Sequence, residues 1–405
     1  MLRLALLNVF RHRGRTTIAL SAICFGVIAL LLAGGFMEWI FWAMRESTIQ
    51  SQLGHIQITR PGYLQSGAAD PFNYLLPAQL NESKFFASAP DIQVVTPRLN
   101  FNGLIGFGEN AIPFVGEGVD PEKEAELSKI FTITHGKQLS SNDEHGVILG
   151  RGLAASLGLQ LGDKFALLAT TASGGINGVD AHVRGLFATG NKAFDDVVVR
   201  VPIDLARQLL RVAGEHVLVM LLDKTEHTDV VLSRLRHHFS GSKMRLEFVP
   251  WYKQADFYTK TVALFSRQMD VLRVIIALII IFSISNTMVM SVLERTGEIG
   301  TQMALGVERR VILRQFVCEG LLLGVVGGGL GLIIGLALAN IISAIGIPMP
   351  SPPGMEIDVY GKIRLTWSLA AGAFALSIVT SLLASLYPAW KASNLEIVDA
   401  LRHNR

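Results

Sequence analysis

The chain has 405 residues, of which 50% are apolar and only 17% are charged. Because soluble domains carry about 25% charged residues, this composition excludes an ordinary soluble protein. The formal net charge is only +3, so global electrostatics do not indicate nucleic acid as a partner.

The surplus of apolar residues is concentrated in four runs, each near or above the roughly 20 residues that cross a membrane. They cover residues 18–44, 272–293, 317–345 and 365–388. The first run exceeds the about 7–15 apolar residues of a cleavable signal peptide, and no small-residue cleavage site closes it. The sequence therefore predicts an α-helical membrane protein with four transmembrane helices and a large mixed α/β domain inserted between helices 1 and 2.

These runs divide the chain into predicted segments. They are an amphipathic lead-in helix (1–15), the first membrane helix (16–44), a large domain of two subdomains (45–267), the second membrane helix (268–293), a short charged helix (294–316), the third membrane helix (317–346), a loop (347–364), the fourth membrane helix (365–390) and a tail (391–405). The short charged helix joins two membrane helices, so it is suited to a contact at the membrane face.

Lys and Arg residues near the helix ends predict the orientation, because they accumulate in cytoplasmic segments. The amino-terminal segment, the charged helix and the tail are rich in them, whereas the loop 347–364 has only Lys362 and Arg364. The sequence therefore predicts that both termini and the charged helix are cytoplasmic. The large domain is then expected to face outward.

Within the large domain, alternating apolar residues predict strands at 54–60, 94–107 and 165–170. Helical patterns occur at 202–212 and 229–239. Residues 251–269 have a helical rhythm without Gly or Pro, so we expect one helix to run unbroken from the domain into the second membrane segment.

Glycines of the third membrane segment recur four residues apart, a spacing that lets two helices approach closely in lipid. The predicted packing residues are Gly324, Gly327, Gly328, Gly331 and Gly335. The spacing leaves open whether the partner helix belongs to the same chain or to another subunit.

The second membrane segment carries a polar band, which consists of Ser283, Ser285, Asn286 and Thr287. Such side chains form hydrogen bonds between helices in lipid, and this is the favoured interpretation. Contact with a substrate is the alternative that the sequence leaves open.

Motifs of catalysis and nucleotide binding are absent from the sequence. It has no Gly-x-x-x-x-Gly-Lys-[Ser/Thr] phosphate loop, no Gly-x-Ser-x-Gly nucleophile elbow and no His-Glu-x-x-His zinc helix. His237 and His238 are adjacent on a predicted helix and so point to different faces, which argues against a metal pair. We therefore expect no catalytic, cofactor-binding or metal-binding residues, and no enzyme activity, in this chain.

The charged helix carries a family pattern. Glu294-Arg-Thr-Gly-Glu-Ile-Gly300, followed by Ala304-Leu-Gly306 and Glu319, resembles the FtsX-like domain of ABC-transporter permeases. These are the MacB/LolC/LolE-type permeases, also called the mechanotransmission or type VII class. The two ends of the chain and the order of one membrane helix, a large domain and three further helices are similar to the same family.

The resemblance implies a dimer, formed with a second copy or a paralogue and served by a separate cytoplasmic ABC ATPase that binds ATP and Mg²⁺. The charged helix would be the coupling helix that docks into this ATPase. Its residue chemistry agrees, because an exposed helix with both charge signs and an apolar face of Ile299 and Met303 suits a groove contact. The residues to which the coupling role is carried over are Glu294, Arg295, Glu298, Ile299, Gly300, Ala304 and Gly306.

The resemblance also implies a place in the bacterial inner membrane and a role in extracting or moving lipoproteins or another amphiphile. Membrane lipids and a periplasmic acceptor or adaptor are the further partners it implies. The chain starts at the lead-in helix rather than at a fused nucleotide-binding domain, so we expect the lipoprotein-releasing layout or that of an exporter with a separate ATPase. Two alternatives stay open: a tripartite exporter of drugs or peptides with an adaptor and an outer-membrane duct, and a non-transporting FtsX-like regulator of cell-wall hydrolases.

Overall fold

A computed structural model of the chain describes residues 13–67, 69–80, 85–86, 89–128, 132–189, 192–241, 244–349 and 359–396. These residues form two compact units, which we call the membrane unit (up to residue 42, 261–349 and from residue 360) and the large domain (43–260). Most of the predicted lead-in helix, the stretch 350–358 of the predicted loop and the end of the tail lie outside the described residues.

The helices and strands follow in this order: α1 (Arg13–Thr48), β1 (Ile56–Thr59), α2 (Tyr63–Ser66), β2 (Ile92–Phe107), β3 (Asn110–Val119), α3 (Pro121–Leu127), β4 (Thr132–Gly136), β5 (Gly146–Gly150), α4 (Arg151–Leu157), β6 (Lys164–Thr170), β7 (Ile176–Ala188), α5 (Lys192–Asp195), β8 (Val198–Pro202), α6 (Ile203–Leu210), β9 (Val217–Leu222), α7 (Thr228–Phe239), β10 (Glu247–Pro250), α8 (Asp256–Glu294), α9 (Thr296–Ala304), α10 (Arg309–Ile345), β11 (Ile347–Met349), β12 (Val359–Gly361) and α11 (Trp367–Ser393).

Four of these helices, α1, α8, α10 and α11, are long and apolar enough to cross a membrane. They fall on the four predicted runs, with the mixed α/β domain between the first two, so the predicted fold class is confirmed. Helix α8 is continuous over 39 residues from Asp256. The helix expected to run unbroken from the large domain into the membrane is therefore present.

Packing inside the membrane unit follows helical periodicity. The buried residues of α8 are spaced four apart and share one face, which lies in the apolar core of the unit. They are Ile276, Ile280, Ile284, Met288 and Val292. The opposite face of α8 is exposed over the same stretch.

Aromatic side chains stand at both ends of α11. Trp367 at its start is 92% exposed, and Tyr387 and Trp390 near its end are 59% exposed. The 23 residues from Trp367 to Trp390 rise by about 34 Å, which is slightly more than the about 30 Å of a hydrocarbon core, so both ends reach the interfaces. Such positions are typical of the aromatic belts of membrane proteins.

Arg309 Nη1 donates to Asn394 Oδ1 at 3.3 Å, so α10 begins at the membrane side where α11 ends.

The large domain is built on one ten-stranded sheet with the strand order β10-β1-β9-β2-β3-β8-β5-β7-β4, in which β6 pairs with both β2 and β7. The pairs β3–β8 and β5–β7 are parallel, and the other pairs are antiparallel. The three predicted strands correspond to β1, β2 and β6, and the two predicted helices to α6 and α7.

A buried ionic network fastens helix α3 to this sheet. Glu124 of α3 accepts a hydrogen bond from Arg98 of β2 at 2.7 Å and lies 3.2 Å from Arg200 of β8. Arg200 also pairs with Glu117 of β3 at 2.7 Å. Burial alone would raise the pKa of Glu124, but the two arginines and the hydrogen bonds hold that pKa below its usual value. The network is therefore charged in the folded domain.

Candidate functional site: the charged hairpin of the membrane unit

The predicted charged helix is the short helix α9 in the hairpin between α8 and α10. The α8 helix ends at Glu294, and the Thr296 hydroxyl donates to the carbonyls of Val292 and Leu293, at 3.0 and 2.9 Å. These bonds satisfy carbonyl groups that the end of a helix otherwise leaves unpaired. The chain changes direction at this point and begins α9 without an intervening loop.

The second turn of the hairpin depends on a glycine. Gly306 has φ +90°, a left-handed conformation that residues with a Cβ rarely adopt. Its N–H donates to Met303 at 3.0 Å, and the next N–H, of Val307, donates to Gln302 at 3.0 Å. Both bonds close the end of α9, in the manner of a helix C-cap. Gly306 therefore directs the chain into α10.

Arg295, between α8 and α9, is held by a buried ion pair. Its Nη1 lies 3.0 and 3.3 Å from the two carboxylate oxygens of Glu319 on α10, and both side chains are at least 91% buried. The guanidinium also stands 5.4 Å from the centre of the Phe316 ring, a cation–π distance. Removing one partner of such a pair leaves a buried charge uncompensated, so the pair links α9 tightly to α10.

The buried face of α9 corrects one sequence-based expectation. Ile299 and Met303 were expected to face a groove of the partner, but they are only 3% and 8% exposed and belong to the core of the membrane unit. The prediction that this apolar face is exposed is wrong. A short amphipathic helix can turn its apolar side toward its own protein or toward a partner, and its sequence is the same in both cases. Gly300 is buried with them.

The exposed face of the hairpin carries both charge signs. Glu294, Glu298, Ala304 and Gly306 are exposed, and Leu305 between the last two is 81% exposed. The basic residues at the start of α10 are exposed as well: Arg309, Arg310 and Arg314. Of the seven residues predicted for coupling, four are thus on the surface, while Arg295, Ile299 and Gly300 are inside. Sequence reasoning missed Leu305, although a leucine beside a turn glycine is a recognisable signal.

Glycines on one face of α10 meet α11. These contacts join Gly320 with Ser385, Gly324 with Ser381, and Gly328 with Ser377. The Ser377 hydroxyl lies 3.3 Å from the Gly324 carbonyl, which accepts its hydrogen bond. Small residues on both helices let the two backbones approach closely.

Glycines on a second face of α10 meet α1. Here Gly327 lies against Ile23, Gly331 against Val27, and Gly335 against Leu31. A Cβ placed on Gly331 would come within 2.7 Å of the Val27 side chain, so an alanine could not fit without a shift. The glycine spacing left open whether the partner helix belongs to the same chain or to another subunit. For these contacts, both partner helices belong to the same chain.

Two side chains in the polar band of α8 donate hydrogen bonds to other described residues. The Ser285 hydroxyl donates to the Ala384 carbonyl of α11 at 2.8 Å, which is the favoured interhelical bond. The Thr287 hydroxyl instead donates within α8, to the Ser283 carbonyl at 2.9 Å. Asn286 between them points to the exposed side of α8.

The large domain contains a cavity of about 430 Å³ on one face of the sheet. Its wall includes Tyr63, whose hydroxyl accepts a hydrogen bond from Asn100 and whose ring stacks on that of His216 at 5.4 Å. His216 is fully buried and lies 3.0 Å from the Pro71 carbonyl. Burial lowers the pKa of His216 to about 4, so its ring is neutral at neutral pH.

One group in the large domain has metal-ligand geometry, formed by Asp91, Asp223 and His227, whose ligand atoms lie within 4.8 Å of one another. Asp91 is already paired with Arg234 at 2.9 Å, and that cation competes with a metal. His238 does not join His237 at a metal, because its ring stacks on Phe85 at 4.1 Å. The ion pair of Asp91 with Arg234 therefore argues against a metal at this group.

Four membrane helices, a large α/β domain between the first two and a charged hairpin define a multi-pass membrane protein of permease architecture. The FtsX-like permease C-terminal domain matches residues 271–397, and the MacB-like periplasmic core domain matches residues 16–237. The second match alone covers more than half of the chain. The chain therefore belongs to the family of FtsX-like permeases with a MacB-like periplasmic core domain.

Two related sequences and one solved structure are similar to this chain. The pyoverdine export ATP-binding/permease protein PvdT of Pseudomonas fluorescens (strain Pf0-1) is 26% identical over 96% of this chain and 57% of its own length. The lipoprotein-releasing system transmembrane protein LolC of Haemophilus influenzae is 27% identical, over 71% of this chain and 71% of its own length. The chain spans at most 57% of the length of the first relatives it matches. The periplasmic region of MacB from Actinobacillus actinomycetemcomitans aligns at 12% identity with a TM-score of 0.37, covering 52% of this chain and 94% of that structure.

Proposed function

We propose that the protein is the permease subunit of an ABC transporter driven by ATP hydrolysis on a separate cytoplasmic ATPase, and that it moves lipoproteins or another amphiphile from the bacterial inner membrane. ATP and Mg²⁺ would be bound by that ATPase, because this sequence contains no phosphate-binding loop. A second permease, identical or paralogous, would complete the complex.

The observation that carries this proposal is the construction of the hairpin. Its inner face is fixed by the Arg295–Glu319 pair and by two apolar side chains in the core, while its outer face presents Glu294, Glu298 and Leu305. A helix held this firmly keeps its exposed groups in one arrangement, which lowers the entropic cost of binding a partner. We therefore propose that the ATPase docks on the outer face of the hairpin and not on its apolar face.

The proposed orientation rests on the distribution of positive charge. Arg309, Arg310 and Arg314 lie at the hairpin side of the membrane, where the structure also brings α10 and the end of α11 together. Cytoplasmic segments accumulate such residues. We therefore propose a cytoplasmic hairpin, cytoplasmic termini and a periplasmic large domain.

Substitution of the outer face tests the coupling role. Glu298→Lys and Leu305→Asp should each lower the stimulation of ATP hydrolysis about tenfold, because they alter the docking surface by about 1.4 kcal/mol. The measurement is ATP hydrolysis by the full-length protein, purified in nanodiscs with the ATPase that copurifies with it. Glu109→Lys is the matched control, since Glu109 is an exposed glutamate at a strand turn of the large domain. Unchanged stimulation in both hairpin variants would contradict the coupling role.

The cargo requires a separate experiment. A photo-crosslinking residue at Val115, which is 41% exposed and lines the cavity of the large domain, would capture what binds there in intact cells. A captured lipoprotein supports the proposed cargo. A captured adaptor would favour the tripartite exporter. Export as such is supported by PvdT, which is named for pyoverdine export and aligns over 96% of the chain. A captured hydrolase or hydrolase activator would favour the regulatory alternative.

A further inference from the structure

The two edges of the sheet in the large domain differ. In the described part of the chain, β4 forms one edge and pairs with β7 alone, and its register with β7 shifts between Ile133 and His135. Such a shift disturbs the outer row of backbone groups and protects an edge against further pairing. At the other edge β10 pairs with β1 alone, and its register from Glu247 to Pro250 has no shift. The edge at β10 is therefore the one suited to a further strand.

The backbone groups of β10 that point outward follow from its pairing with β1. The Trp251 N–H donates to the His55 carbonyl at 3.0 Å, and Val249 stands opposite Gln57. Because successive residues of a strand point their N–H and C=O groups to opposite sides, Val249 faces β1 and Phe248 faces the open edge. No other described strand takes up the groups on that side. Such a row of edge groups is a template for an additional strand.

A groove of about 320 Å³ lies along this edge of β10. The end of α7 forms one side of it, and Phe239 and Leu246 contribute half-buried apolar side chains. An extended peptide places alternate side chains on opposite faces, so one set can enter a groove while the backbone pairs with the strand beside it. The residues that line the groove are Arg236, Phe239, Ser240, Lys253 and 246–249.

The charge around the groove is mostly positive. Arg236, Arg245 and Lys253 are exposed, and none of them forms an ion pair with another described residue. Glu247 is the acidic residue of the lining, and its Oε2 atom accepts a hydrogen bond from the Gly62 N–H at 3.1 Å. The three cations are complementary to acidic side chains of a partner. They oppose the pairing of two copies of β10, because like charges would then face each other.

We propose that β10 binds an extended, acidic segment of a partner polypeptide as an additional strand of the sheet. The backbone of this segment would exchange hydrogen bonds with Leu246 and Phe248. Its apolar side chains would contact Phe239 in the groove, and its carboxylates would lie at Arg236 and Lys253. This surface goes beyond the proposed function, because it depends neither on the coupling role of the hairpin nor on the cargo.

A synthetic peptide tests strand addition. The probe is a fluorescent peptide of about ten alternating valine and glutamate residues, titrated into the full-length protein in nanodiscs of neutral lipid and followed by anisotropy. We expect saturable binding, and binding of the valine–lysine counterpart should be at least about tenfold weaker. Methylation of the peptide nitrogens keeps the charge but removes the N–H donors, so it should also weaken binding at least about tenfold. No binding, or equal binding of the methylated peptide, would overturn the proposal.

Charge reversal in the groove tests the location. Arg236→Glu combined with Lys253→Glu should weaken binding of the glutamate peptide at least about tenfold. Lys137→Glu combined with Lys164→Glu is the matched control, because both lysines are exposed and lie outside the groove lining. Leu246→Pro should weaken binding as well, since it removes an N–H just outside the stretch that pairs with β1. Equal losses in the groove and control variants would assign the binding to net charge and overturn the proposal.

Crosslinking in intact cells identifies the occupant. A photo-crosslinking residue at Ser240, which is exposed and lines the groove, should capture a polypeptide whose crosslinked site maps to an acidic, extended segment. Ser156, an exposed serine of α4, is the control position. Capture of a second copy of this chain, of a lipid or of a basic segment would overturn the proposal. Capture no greater than at Ser156 would overturn it too.

Discussion

The large domain and the membrane unit both bury ionic groups, but the groups join different parts. In the large domain, Glu124 meets Arg98 and Arg200, which lie on strands of one sheet. In the membrane unit, the pair of Arg295 and Glu319 joins a short surface hairpin to a membrane helix. The chemistry of the two sites is alike, whereas the parts they connect differ. The buried network of Glu124 thus joins a helix to the sheet of the large domain. The Arg295–Glu319 pair instead fixes the position of a surface helix of the membrane unit.

The largest effect is expected from breaking the network of the large domain. Glu124→Gln should destabilise this domain by about 3–5 kcal/mol, because it leaves two buried arginines without their shared carboxylate. Hydrogen exchange of the β2 and β8 amides in the full-length protein measures the loss. Glu126→Gln is the matched control on the same helix, since Glu126 is exposed. Similar protection in both variants would show that the network does not stabilise the sheet.

Acid should act on the large domain through His216. Its pKa is about 4 in the folded protein and about 6.5 when unfolded, so the unfolded state takes up the proton first. Stability should therefore fall as the pH drops from about 6.5 to about 4, by about 3 kcal/mol in total. His55, whose pKa burial also lowers to about 4, acts in the same direction.

Hydrogen exchange or denaturant unfolding of the large domain, recorded between pH 7 and pH 4, measures this dependence. His216→Gln should remove about half of the pH dependence and leave the part due to His55, while His135→Gln, at an exposed histidine, should leave it as it is. A slope that is the same in both variants would exclude His216 as its source.

A smaller effect is expected where the membrane unit brings helices together without charge. Gly328→Leu should cost about 1–3 kcal/mol by overpacking, because Gly328 faces Ser377 and Phe374 of α11. Gly329→Leu is its neighbour and control, because a Cβ there meets nothing within 4 Å. Thermal unfolding in nanodiscs compares the two. Equal losses would show that the contact with α11 does not limit side-chain size.

Sequence patterns predicted the elements whose signals are local. The absence of Gly and Pro from 251–269 predicted the continuous α8, and the four-residue spacing of glycines predicted close contacts of α10. The strand order of the sheet was beyond prediction, because the parallel pairs β3–β8 and β5–β7 join distant segments with no local signal. Within the hairpin, periodicity grouped Ile299 with Met303 but could not say which way that face points.

The Arg295–Glu319 pair also has a mechanical consequence. The hairpin helix α9 cannot turn away from α10 without separating two opposite charges that are more than nine-tenths buried. Any displacement of α9 is therefore passed to α10, whose two glycine faces lie against α1 and α11. In the proposed transport cycle, one movement at the hairpin would reach the first and the fourth membrane helix in the same step, with no separate signal for each.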